Sequence, residues 1–262
     1  MALARYKTGL KRWEAPPRLR FSSYFKAEIA LPSVPATFGM QPLFPPRTAA
    51  NPYPMGILGN DILGNCTIAG PDHLVMRFNA LAGRPVRLTT LDAEDDYRDC
   101  CGYVFGDPST DNGGDIATVA QYWKTTGMRD WAPNRHKIIA YVVIEDPANN
   151  LPKLDFAAWA FDGGCGLGLA LPPTAVDQFD AGQRWSGVAA NEDDYHFVPY
   201  YGLDGQGQRW VYTWGGEQPT EPGFITSNVR EAVAYITEES ATNGKSASGF
   251  AIADLLSDIA AL

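Results

Sequence analysis

Cysteine and histidine are scarce: four and three in 262 residues. Four cysteines are too few for a disulfide scaffold in a chain this long, and Cys100 and Cys101 are adjacent, where a bridge would be strained. The expected compartment is reducing. No apolar run approaches the ~18 residues of a membrane-spanning helix. Arg5, Lys7, Lys11 and Arg12 have no apolar segment behind them, so no secretory signal peptide is expected. Cys100, Cys101 and Cys165 are not spaced with histidines as zinc ligands. No P-loop occurs, and GGCGLG at 163–168 and GLDGQG at 202–207 match only part of a dinucleotide fingerprint. The expectation is therefore no metal and no organic cofactor.

What is present describes a folded chain. Hydrophobic residues make up 45% and charged residues 19%, ordinary for a globular protein and too apolar for a disordered one. The net charge of −9 is unevenly placed: residues 1–28 hold seven bases and two acids, +5, which leaves −14 on the remainder. A basic arm on an acidic body has three readings: it folds back on its own body, reaches a neighbouring protein, or touches nucleic acid. The body is too acidic to bind nucleic acid by itself, and the basic cluster is short. The arm is expected to dock on a protein partner or neighbouring subunit.

Prolines at 32, 35, 42, 45, 46, 52 and 54 forbid regular helix, so the arm continues as an extended segment. The division read from this is a basic, proline-rich arm over 1–54, a domain over 55–240 and a C-terminal helix over 241–262. A helical stripe predicts a helix from Cys66 to Leu81, stopped by Gly83, and a second runs from Asp115 to Thr125. His136–Ile144 reads as a buried strand and Leu154–Phe161 as a short helix. Gly166–Leu171 alternates glycine with leucine or alanine, a strand with close backbone approach. Tyr195–Leu203 and Gln208–Trp214 form a hairpin around Asp204-Gly205. Phe224–Thr226 reads as strand, and Val229–Ile236 and Phe250–Ala260 as helix. Helices early and strands later point to an α+β fold.

Cysteine chemistry needs a thiol at a helix N-terminus, a histidine to hold the proton, a polar group to orient that histidine, and donors for an oxyanion. Cys66 opens the predicted helix in GNDILGNCTIAG, and Gly64 lets the chain turn just before it. Asn60, six residues upstream, offers a carboxamide donor. His196 begins the apolar run HFVPYYGLD. His73 reads as a packing residue of the same helix and His136 as structural.

These elements, in this order, resemble the papain-like cysteine peptidases. NDILGNC has Asn60 where that family has glutamine; DNGGDIATVAQYWKTTGM resembles the glycine pair and helix; HFVPYYGLD resembles the histidine strand; RWVYTWGG has Tyr212 where asparagine is expected. Thr213, Trp214 and Gly215 then fit. The resemblance spans roughly 55–226 and implies a papain-like two-lobed α+β fold, a helical lobe plus an antiparallel sheet lobe. It implies Cys66 as nucleophile, His196 as general base and then acid, Asn60 as oxyanion donor, and Tyr212 or Thr213 as the residue orienting His196. Two functions follow. One is a peptidase or amidase-type hydrolase acting on a peptide or amide substrate. The other is a structural or interaction protein of a larger assembly, such as a virion capsid- or tail-associated protein, built on the same scaffold with reduced or no activity. The corresponding locations are cytoplasmic or virion-associated.

Overall fold

The computed structural model describes residues 6–13, 20–24, 31, 33–131, 134–190 and 194–237. The helix expected at Phe250–Ala260 lies outside the described residues. The arm contributes strand β1 (Leu10–Lys11) and one turn of helix, α1 (Phe21–Tyr24).

Helix α2 (Cys66–Leu81) occupies the residues its periodicity predicts. Residues 66 to 79 are all buried, the polar Thr67, Asp72, His73, Arg77 and Asn79 among them, so the helix is packed on every side. Pro71 is the sixth residue of the helix, so the amide it lacks would have donated to the Thr67 carbonyl. Helix α3 (Thr90–Cys101) was not anticipated. Its start is a capping box in which the Thr89 hydroxyl accepts from the Asp92 amide and the Asp92 carboxylate accepts from the Thr89 amide. Gly102 ends it in the left-handed region, with φ of 78°. Strand β2 (Gly114–Asp115) leads into α4 (Ile116–Thr125), capped by the Asp115 carboxylate. The short strands β3 (Met128–Arg129) and β4 (Arg135–His136) pair with each other.

The second half is a six-stranded sheet of order β5-β10-β6-β7-β8-β9, antiparallel throughout. Its strands are β5 (Ile138–Val143), β6 (Cys165–Ala170), β7 (Tyr195–Leu203), β8 (Arg209–Thr213), β9 (Gly216–Thr220) and β10 (Val229–Thr237). Helices α5 (Leu151–Ala160), α6 (Ala175–Asp180) and α7 (Phe224–Asn228) complete it. Alternate residues of one strand enter two different cores. Val233 and Tyr235 join the core shared with α2, α3 and α4, while Ala232, Ala234 and Ile236 join the core shared with α5, α6 and α7.

Two expectations are reversed here. Val229–Ile236, read as a helix, lies in strand β10, and Phe224–Thr226, read as a strand, lies in helix α7. Val229, Val233 and Ile236 mimic a helical stripe, but residues on both sides of the chain are buried, because β10 lies between β5 and β6. Among the described residues no helix is long and apolar enough to cross a membrane.

Candidate active site

Three glycines set the position of α2 against the sheet. A Cβ on Gly70, one turn beyond Cys66, would overlap the Phe197 ring, and a Cβ on Gly166 would lie 2.6 Å from the same ring. The ring of Phe197 therefore fills the space that both glycines leave, where α2 packs on β7 beside its sheet neighbour β6. Gly64 completes the turn before the helix, its amide donating to Asp111 Oδ1 at 2.9 Å. The outcome is that the Phe197 amide donates to Cys66 Sγ at 3.5 Å, although the two residues are 131 apart in sequence. Cys66 and the residue after His196 thus meet.

His196 is buried, and its ring stacks on Trp214 with centroids 4.9 Å apart. Nε2 lies 2.9 Å from the Thr213 hydroxyl, while Nδ1 is buried and has no hydrogen-bond partner. Tyr212, expected beside His196, lies on the other face of β8, as strand alternation requires of Thr213's neighbour. Its ring stacks on Tyr201 at 4.0 Å and its hydroxyl accepts from Arg77 at 3.0 Å. Of the two residues proposed to orient the imidazole, Thr213 is the one in contact. Asn60 sits on the approach to α2, and its Nδ2 donates to Leu63 O at 3.1 Å and Lys7 O at 3.4 Å. His73 packs inside, bonded to Gly56 O, and His136 bonds Asp130.

Burial decides the electrostatics. It pushes the Cys66 thiol up to about 11, even though the amides of Phe197, Gly9, Thr67 and Cys66 itself pull the other way. Burial likewise pulls His196 down to about 3. As the chain stands, both groups are neutral near pH 7.

The cover is the chain's own arm. The Gly9 amide lies near enough to the Cys66 sulfur to oppose the rise in its pKa. Its carbonyl accepts from Gly114 N at 2.9 Å, and β1 pairs in parallel with β2, Leu10 opposite Gly114 and Lys11 opposite Asp115. Only glycine fits at this point, since a Cβ on Gly9 would overlap the Gly64 carbonyl. On one side Tyr6 is buried, stacked on Trp214 at 4.7 Å and donating to Asp180 at 2.8 Å; Lys7 bridges Asp111 at 2.7 Å. On the other, Arg12 and the Trp13 amide reach Glu231. The arm, expected to dock on a partner or neighbouring subunit, has residues 6–13 laid on its own body. Gly9, Asp111 and Glu231 were not anticipated at the site; Glu231, a lone acid in the apolar run VREAVAYI, was the readable signal.

No protein-family model matches the sequence, and no curated protein matches it. Solved structures do. Xylellain, a cysteine protease from Xylella fastidiosa, superposes with a TM-score of 0.59 at 12% identity, over 89% of this chain and 97% of that one. This chain has the papain-like fold. Procathepsin B from Trypanosoma congolense gives 0.51 at 10% identity over 90% and 87%, and the proform of the ragweed pollen cysteine protease Amb a 11 gives 0.55 at 13% over 86% and 72%. At such identities the likeness establishes the architecture, and chemistry must be argued from this chain's residues. In the papain-like frame the helical lobe carries Cys66, the sheet lobe carries His196, and the arm runs between them.

Proposed function

We propose that the protein is a cysteine hydrolase of peptide or amide bonds, held closed by residues 6–13 of its own chain. The observation that carries this reading is the junction at the α2 N-terminus. The Cys66 sulfur is bonded by the amide next to His196, whose Nε2 is held by Thr213 and whose Nδ1 is left without a partner. Departure of the arm admits water and removes the burial penalty on both charged forms. The thiol proton then passes to His196 Nδ1, and the α2 N-terminus favours the thiolate. Sulfur attacks the carbonyl carbon. The oxyanion is met by the helix-start amides and by the Asn60 N–H that the Lys7 carbonyl now occupies. His196 returns the proton to the leaving amine, and a water deprotonated by the same ring cleaves the thioester. Thr213 fixes the imidazole and Trp214 shields that bond from water.

Hydrolysis of fluorogenic peptides by the full-length chain tests this. Activity is expected to rise in Gly9→Ala, which cannot seat the arm, and to vanish when His196→Ala or Cys66→Ala is added. If Cys66 of Gly9→Ala reacts with iodoacetamide no faster than the half-buried Cys100 and Cys101, the thiol is not activated and the catalytically silent scaffold is the correct reading.

A further inference from the structure

The arm is basic and the groove that takes it is acidic. Lys7 meets Asp111, whose carboxylate also accepts from the Gly64 amide and the Tyr97 hydroxyl. Lys11 lies opposite Asp115 in the β1–β2 register. Arg12 Nε stands 3.7 Å from Glu231 Oε1, which also accepts from the Trp13 amide at 3.2 Å. Glu231 is 2% exposed, yet its Oε2 has no hydrogen-bond partner. A buried carboxylate oxygen without a donor is costly, and in a peptide groove it marks a position built for a cation that the arm fills only in part. The Leu10 side chain and Glu231 share that position: a Cβ on Gly168 would lie 2.7 Å from Leu10 Cδ2 and 3.2 Å from Glu231 Cβ. Gly168 thus leaves the room there, with Ile116 closing the wall.

Along the arm, Lys7 and Arg12 fall on either side of Gly9, the residue at the sulfur. The acids therefore flank Cys66 on both sides, and a groove with an acid at each end accepts a basic peptide whichever way its chain runs. We propose that the site selects peptides carrying cationic side chains flanking the bond to be cut, with Glu231 the principal selecting residue and Asp111 the second. This rests on the hydrolase reading above, and the arm acts as the built-in occupant that such a peptide displaces.

The test uses the full-length chain and two cysteine-directed peptidyl acyloxymethyl ketones. They differ only in carrying arginine or its neutral isostere citrulline at the residue preceding the one that bears the warhead. The second-order rate of Cys66 modification is followed by intact mass. The arm competes equally with both probes, so the rate ratio reports the groove alone. The expected ratio of arginine to citrulline is about 10 or more, falling to about 1 in Glu231→Gln, and falling in the wild type as salt is raised from 0.05 to 0.5 M; a ratio that Glu231→Gln leaves near 10 overturns Glu231 as the principal selecting residue. The salt series decides if Glu231→Gln does not fold. Equal rates for the two probes in the wild type, with Cys66 still alkylated by iodoacetamide in a His196-dependent manner, overturn the selection and leave the hydrolase standing. A Cys66 inert to iodoacetamide as well brings down both.

Discussion

The two ends of the segment lying across Cys66 are held by different physics. At the Tyr6 end a ring is buried against Trp214 and Phe179, and its hydroxyl bonds Tyr53 and Asp180. At the Arg12 end a half-exposed guanidinium stands 3.7 Å from a carboxylate that keeps one oxygen unpaired. The first end is satisfied internally and can be replaced only by another ring. The second depends on charge, which any cation can supply. The arm should therefore behave as a strap hinged at Tyr6 that opens from Arg12, and Gly9 at the sulfur is the point both ends serve.

The largest effect should come from breaking that midpoint. Gly9→Ala puts a Cβ into the Gly64 carbonyl, a backbone atom with little room to yield. With the arm lifted, the thiol falls from its buried value near 11 toward the range of an accessible cysteine. Alkylation of Cys66 at pH 7.5 should accelerate about 10²–10³-fold. In the wild type the rate should climb about tenfold per pH unit up to pH 10, because the thiolate fraction rises that steeply below its midpoint. A Gly9→Ala rate equal to the wild-type rate would show that the arm does not guard the sulfur. The comparison of the two ends is sharpened next. Tyr6→Ala should cost arm docking about 2 kcal/mol, a labelling increase of about 30-fold, whereas Arg12→Gln should change labelling less than threefold. The reverse ranking would place the hinge at the charged end. Thr213→Val follows, with an expected loss of about tenfold in kcat and little change in KM, as suits a residue that orients the base. Tyr212→Phe, which lies on the opposite face, should leave kcat within twofold.

Residues whose local chemistry and tertiary role agree were legible from the chain. Cys66–Leu81 reads as a helix because its stripe, its flanking glycines and its burial point the same way. Gly166–Leu171 reads as a strand with close approach because its glycines leave room, Gly166 for the Phe197 ring and Gly168 for Leu10. Thr213 was legible only as an alternative to Tyr212, since choosing between neighbours on a strand requires knowing which face meets His196. Val229–Ile236 reads as helix because a strand buried on both faces loses its period of two. Gly9 and Asp111 have no local signature: each matters through a partner more than fifty residues away or through a backbone overlap that sequence does not encode.

Glu231 offers the most diagnostic effect. Burial pushes its carboxyl up from the usual 4.5 to about 7, with Asp115 adding to the rise while the Trp13 amide and Arg12 oppose it. A carboxyl held above its unfolded value binds its proton more tightly in the folded protein. Its contribution to stability is therefore complete below about pH 4.5 and lost as pH rises through 7, the opposite of an ion-paired carboxylate. The loss is at most about 3 kcal/mol, or roughly 5 °C in Tm for a chain of this size. Thermal melts of the wild type and Glu231→Gln should diverge between pH 5 and 8, the wild type declining relative to the variant. Parallel curves would mean that the Arg12 guanidinium already holds Glu231 ionised in the closed state. The charged end of the strap would then be as tightly made as the aromatic end, and the asymmetry between them would disappear.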